Sequence, residues 1–144
     1  MSDAIRSRLG EIWHSYRSLP LWVQLWVGLV LVPVNALSLA LLDHWAGRAA
    51  ALAALAVVAT NLPIMWLERG MSRLMAVPHL LIWGPLQGVL VLRLLERVGP
   101  LPVAAVECLF ILTLLVVNGI SLAFDALDTW RWLRGERAVP GRTV

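Results

Sequence analysis

The stretch Pro102–Phe124, PVAAVECLFILTLLVVNGISLAF, decides the fold. It carries a single charged residue, Glu107, in a run long enough to cross a bilayer core, which takes roughly 20 residues rising about 1.5 Å each. A polar stripe rides on this run. At about 100° per residue, Glu107, Ile111, Leu114, Asn118, Ser121 and Asp125 share one face, while Cys108 and Thr113 point elsewhere. Glu107 and Asp125 stand about five helical turns apart, or about 27 Å, so one helix face holds a carboxylate towards each end and an amide between them.

Three further runs have the same character. The first, residues 21–42, opens at Pro20 and stops at Asp43-His44; the second, 46–67, is Ala-rich and stops at Glu68-Arg69-Gly70; the third, 77–95, stops at Glu96-Arg97. The fourth occupies 102–124. The breaks between them are short, which makes sequential neighbours antiparallel. The expected fold is an all-α integral membrane protein: a four-transmembrane-helix bundle in one membrane domain, 1–144. An interfacial helix over 2–19 precedes the bundle, and a cytoplasmic tail over 125–144 follows it.

Composition agrees. Of 144 residues, 60% are hydrophobic and 15% charged, against about 45–50% and 25% in a soluble domain. One small core cannot bury so much apolar surface, which excludes a soluble enzyme, a disordered tail and a secreted disulfide scaffold. The single cysteine, Cys108, lies in an apolar run and reads as a small buried hydrophobe.

All twelve basic residues are Arg, and the net charge is +3. A nucleic-acid binder gathers such residues on one polar face among exposed aromatics; here they flank apolar runs, so no nucleic acid partner is expected. Placing both termini inside puts Arg6, Arg8, Arg17, Arg69, Arg73, Arg131, Arg134, Arg137 and Arg142 on the inner side and Arg48, Arg93 and Arg97 outside. That bias predicts an inner (plasma) membrane protein with both termini cytoplasmic.

Residues 2–19 repeat apolar positions at helical spacing (Ile5, Leu9, Ile12, Trp13, Tyr16) among Arg and Glu, the pattern of an amphipathic helix lying in the interface. Trp22, Trp45, Trp66, Trp130 and Trp132 fall near run ends, where amphipathic rings anchor. In the tail, Trp130, Arg131, Trp132, Arg134 and Arg137 suit headgroup depth, and removal of 138–144 is expected to be harmless.

Polar residues inside the runs should face protein or water. Gln24, Gly28, Leu31, Asn35, Ser38 and Leu42 form a stripe on the first run, and VNALSLA (34–40) echoes VNGISLA (117–123). Counted from the outer ends, Asn35 lies level with Glu107, and Asn61 level with Asn118; Gln87 falls between. These residues, with Ser121 and Asp125, are the candidate solute path or intramembrane polar network. Pro33, Pro63 and Pro85 sit inside runs, and Gly84 and Gly88 make a G-x-x-x-G that permits a close helix contact. His14, His44 and His79 belong to three different segments, so no metal site is expected, and His79 reads as a structural interfacial residue.

No serine elbow, phosphate loop or haem-ligand pair is present. The chain is therefore expected to be neither an enzyme nor the carrier of a cofactor. The expectation is a homo-oligomeric ion (cation or proton) channel or transporter subunit, with acidic rings of Glu107 and Asp125 at the pore mouths. The alternative is a non-catalytic accessory or scaffolding subunit of a larger membrane complex. In either case the lipid bilayer is a partner.

Overall fold

The computed structural model describes residues 3–142. Among them the chain is helical and contains no strand; four helices are long and apolar enough to cross a membrane. These candidate spans are Leu21–Leu41, Trp45–Glu68, Arg73–Leu94 and Ala105–Leu133. A separate helix, Asp3–Arg17, precedes them.

The first span changes its winding along its length. Leu21–Leu25 is α-helical, Trp26–Leu31 widens into a π-helix, Val32–Ala36 returns to α, and Leu37–Leu41 tightens into a 3₁₀ segment. Pro33 lacks an N–H and its ring crowds the carbonyl one turn earlier. The wider turn before it absorbs that crowding. Pro63 and Pro85 lie within helices that continue without a break.

The chain reverses sharply between the first and second spans. A Cβ on Gly47 would run into the Leu41 carbonyl, so only glycine admits this approach. Behind it, Ala46, Ala50, Ala53 and Val57 present a buried face of small side chains, the composition that lets helices approach closely. They meet Leu86, Leu90, Ile111 and Leu114 in the core, while the third and fourth spans pack against one another. Large residues elsewhere on the spans, such as Leu29, Leu52, Leu81 and Leu109, face outward.

The N-terminal helix turns its polar side to the protein. Ser15, fully buried, accepts a hydrogen bond from the Met71 N–H at 2.9 Å. Glu11 holds Arg69 through two contacts of 2.7 and 2.8 Å, and Arg8 donates to the Trp66 carbonyl at 2.8 Å. Ile5, Leu9 and Trp13 therefore stand exposed on the opposite side, the face an interfacial helix would give to lipid.

The fourth helix does not stop at Phe124. It runs to Leu133, because nothing from Asp125 onward breaks it before Gly135, whose φ of +94° ends it. The residues beyond it fold back over the end of the bundle that holds the N-terminal helix. Arg142 donates to the Glu68 carbonyl at 3.0 Å, and Arg73 donates to the Glu136 carbonyl at 3.2 Å. Gly70 leaves room for Val139: a Cβ there would lie 2.6 Å from a Val139 methyl. Residues 138–142, expected to be dispensable, thus make specific contacts through Val139 and Arg142. Thr143 and Val144 lie outside the described residues.

Two stability outcomes follow. Gly47→Ala should destabilise the fold by about 1–3 kcal/mol through overpacking, whereas Gly84→Ala and Gly88→Ala should be near neutral in the single chain, because nothing lies within 4 Å of a Cβ at either position. Deleting residues 138–142 should lower the thermal midpoint. Thermal unfolding in mild detergent checks all four variants.

Candidate functional site

The polar residues of the spans sort into three groups along the bundle. At the end away from the termini, Glu107 meets Arg93. The guanidinium grips the carboxylate through Nε–Oε1 at 3.0 Å and Nη2–Oε2 at 2.8 Å. The Ala46 N–H donates to Oε1 at 2.9 Å, so the carboxylate also caps the start of the second span. The Arg93 Nη1 group donates to the Val98 and Pro100 carbonyls at 3.1 and 2.6 Å. Trp45 covers the guanidinium, its ring centre 5.9 Å away. Both charged residues are 2% exposed.

This arrangement corrects two expectations. Arg93 is a buried ligand of Glu107 and is not one of the exposed arginines that mark a membrane face. Glu107 has both oxygens occupied inside one chain, which leaves it no acidic face to offer a pore mouth. Its depth-mate is Arg93, not Asn35.

In the middle, Asn35 and Asn118 pair reciprocally. Asn35 Nδ2 donates to Asn118 Oδ1 at 2.8 Å, and Asn118 Nδ2 returns a bond to Asn35 Oδ1 at 3.1 Å. The echoed asparagines of VNALSLA and VNGISLA are thus each other's partners. At a uniform α-helical rise the two would stand at different depths, but the 3₁₀ segment above Asn35 rises faster and the fourth helix begins at Ala105, three residues after Pro102. Ser121 accepts from the Trp26 indole at 3.1 Å, and Ser38 donates to the Asn35 carbonyl at 2.6 Å. Gln87 donates to the Leu114 carbonyl at 3.3 Å. Glu107, Ile111, Leu114, Asn118 and Ser121 are buried, so the predicted stripe is the face by which the fourth span enters the bundle.

The third group, towards the termini, differs. His79 Nδ1 lies 3.2 Å from Asp125 Oδ1, and His79 Nε2 lies 2.9 Å from Asn61 Nδ2. The Trp83 ring, one turn along the third span, stacks on the imidazole with centroids 4.4 Å apart and planes 8° from parallel. Among the described residues, four buried side-chain polar atoms have no hydrogen-bond partner: Asn61 Oδ1, Trp83 Nε1, Asp125 Oδ2 and Thr129 Oγ1. Three belong to this cluster, and Thr129 follows Asp125 by one turn. Native proteins satisfy nearly all such atoms, and each exception has a cause such as strain, an ordered water or a functional role. At the mouth of the cluster Arg73 bonds Asp128 at 3.2 Å.

The structure thus brings Asn61 and Asp125 together, as well as Asn35 with Asn118, and leaves Glu107 with a different partner from any expected. Sequence reading missed His79 and Arg93. The topology could have found the first: His79 opens the third span, Asp125 lies towards the end of the fourth and Asn61 towards the end of the second, so antiparallel neighbours place all three at one level. Comparisons with protein-family models, curated proteins and solved structures give no match to this chain.

The Arg93–Glu107 pair makes a direct stability prediction. Glu107→Leu strands a buried guanidinium and should cost about 3–5 kcal/mol, whereas the double variant Arg93→Met with Glu107→Leu should be more stable than either Arg93→Met or Glu107→Leu alone. Unfolding of the four chains in detergent, treated as a double-mutant cycle, measures this coupling.

Proposed function

We propose that this chain is a small multi-pass inner-membrane protein that moves a cation or proton, as a channel or transporter subunit, with both termini cytoplasmic. The carrying observation is the His79 cluster. In a bundle whose other polar groups close on one another, the unpartnered buried atoms gather around one imidazole–carboxylate pair. Ionisable groups in such a setting are costly, pair with one another and mark ion paths and proton relays.

The participating residues shift from the acidic-ring picture. Asp125 keeps its role, now with His79, Asn61, Trp83 and Thr129 around it; Glu107, Asn35 and Asn118 hold the bundle together. Assembly into a homo-oligomer has a free face available, since Gly84 and Gly88 are open on the third span. The accessory-subunit alternative draws on a separate observation: Arg93–Glu107 and Asn35–Asn118 are each closed within one chain, which suits a passive scaffold.

Purified protein in liposomes, assayed with a proton-sensitive dye and for alkali-cation flux, distinguishes the two. Transport should be present, and His79→Gln and Asp125→Asn should each abolish most of it, while Thr113→Val, off the buried stripe, should leave it unchanged. A wild-type protein that carries neither protons nor cations would favour the scaffold.

A further inference from the structure

The imidazole of His79 has an unusually complete set of neighbours for carrying charge. A neutral imidazole has one N–H donor and one bare acceptor nitrogen. With Nδ1–H donating to Asp125 Oδ1, Nε2 is bare and accepts from the Asn61 amide at 2.9 Å. This orientation leaves Asn61 Oδ1 buried without a partner, on a residue only 6% exposed. Adding a proton to Nε2 reverses the requirement: the ring then donates at both nitrogens. A half-turn of the amide places Oδ1 where Nδ2 stood, and the unpartnered oxygen becomes the acceptor that the new N–H needs. The displaced NH₂ then takes the buried place that Oδ1 held, on a residue that also lines a groove of about 130 Å³ with Val57, Val58, Leu62, Met65 and Met75.

The other neighbours favour the same state. The Trp83 ring lies flat on the imidazole, and an aromatic face attracts a cation. Asp125 supplies the opposite charge. Before loading, the Asp125–His79 pair carries the charge of one carboxylate; after loading it is a neutral ion pair, the form less costly to hold in an apolar bundle. The charged groups that surround the ring on the packed elements are Asp125 and Asp128 of the fourth span, Arg73 of its own span, and Glu136 beyond the fourth helix. Arg73 is engaged with Asp128 at 3.2 Å and stands 4.0 Å from Glu136. The second span contributes only the neutral Asn61.

A metal cation fits this set poorly. Hard cations need six or more oxygens about one point, but here Asp125 Oδ1 and both ring nitrogens are committed to one another, and the Trp83 N–H is a donor.

We infer that the species bound at this cluster is the proton, taken up on His79 Nε2, with Asn61 as the reversible acceptor that positions it. No bond other than N–H and its hydrogen bonds is made or broken. The inference names the substrate of the transport reading and rests on that reading for the proton's passage, but not for its binding.

Nitrogen-15 NMR of the histidine rings, on the full chain in lipid nanodiscs, tests it, with His79→Gln identifying the His79 signals against His14 and His44. At high pH the ring should be the Nδ1–H tautomer. On lowering the pH from about 8 to 5, the ring should gain a proton on Nε2, and the Asn61 side-chain amide signals should move with it. Asn61→Leu should weaken that uptake about 10- to 100-fold, the worth of one hydrogen bond to a charged group, and Asn61→Gln should restore part of it. A neutral ring protonated on Nε2, no uptake in this range, or an unchanged affinity in Asn61→Leu would each overturn the proposal. If Asn61→Leu fails to fold, the wild-type tautomer and titration decide alone. Normal titration without flux in liposomes would remove the transport reading and leave the proton site; flux with a ring that never charges would do the opposite.

Discussion

A polar group inside an apolar helix bundle has no water to turn to, so it must find its partner in the chain. The Arg93–Glu107 pair is the strictest instance. Its five hydrogen bonds tie the end of the third span, the loop at Val98 and Pro100, the start of the second span at Ala46 and the first turn of the fourth. Three of the four spans thus converge on one charge pair. With one member missing, the other would be a buried charge without compensation, which is why the pair fixes how the helices meet and does not merely decorate their ends.

The same constraint separates structure from chemistry along the bundle. Asn35 and Asn118 answer each other's donor and acceptor, and Ser121 takes the Trp26 N–H, so these groups are spent on packing. Around His79 the matching is incomplete. An imidazole, a carboxylate and an amide are linked in line, yet an oxygen at each end of that line remains unengaged. On the proposed reading, this incomplete network is where the proton binds. Towards the same end, the polar side of the N-terminal helix and the residues after Leu133 both dock, through Ser15, Glu11, Arg73 and Arg142.

Much of the fold was legible because it depends on run length and period alone. The span limits read from Pro20, Asp43, Glu68 and Glu96 lie close to the helix ends, and the 100° stripe on the fourth span is its buried face. The pairing was less legible. Arg93 reads as a topology signal because an arginine at a span end usually snorkels to water; that it turns inward depends on Glu107 lying fourteen residues on, across the loop it also binds. His79 reads as a solitary interfacial residue until helix order is used to set it beside Asp125 and Asn61. The depth ladder failed where winding is uneven, as in the first span with its π and 3₁₀ segments. Period sets the face of each helix, but partners depend on relative height, which the sequence encodes only through winding and loop lengths.

The unpartnered polar atoms near His79 have hydrogen-bonding capacity left for ordered water, whereas those of Glu107 and of the Asn35–Asn118 pair are already engaged. An experimental map that resolves ordered water tests this most directly. The account predicts water within hydrogen-bond distance of Asp125 Oδ2 and Asn61 Oδ1, and none at Glu107 or between Asn35 and Asn118. A dry cluster in which Asp125, Asn61 and Thr129 satisfy one another completely would contradict it.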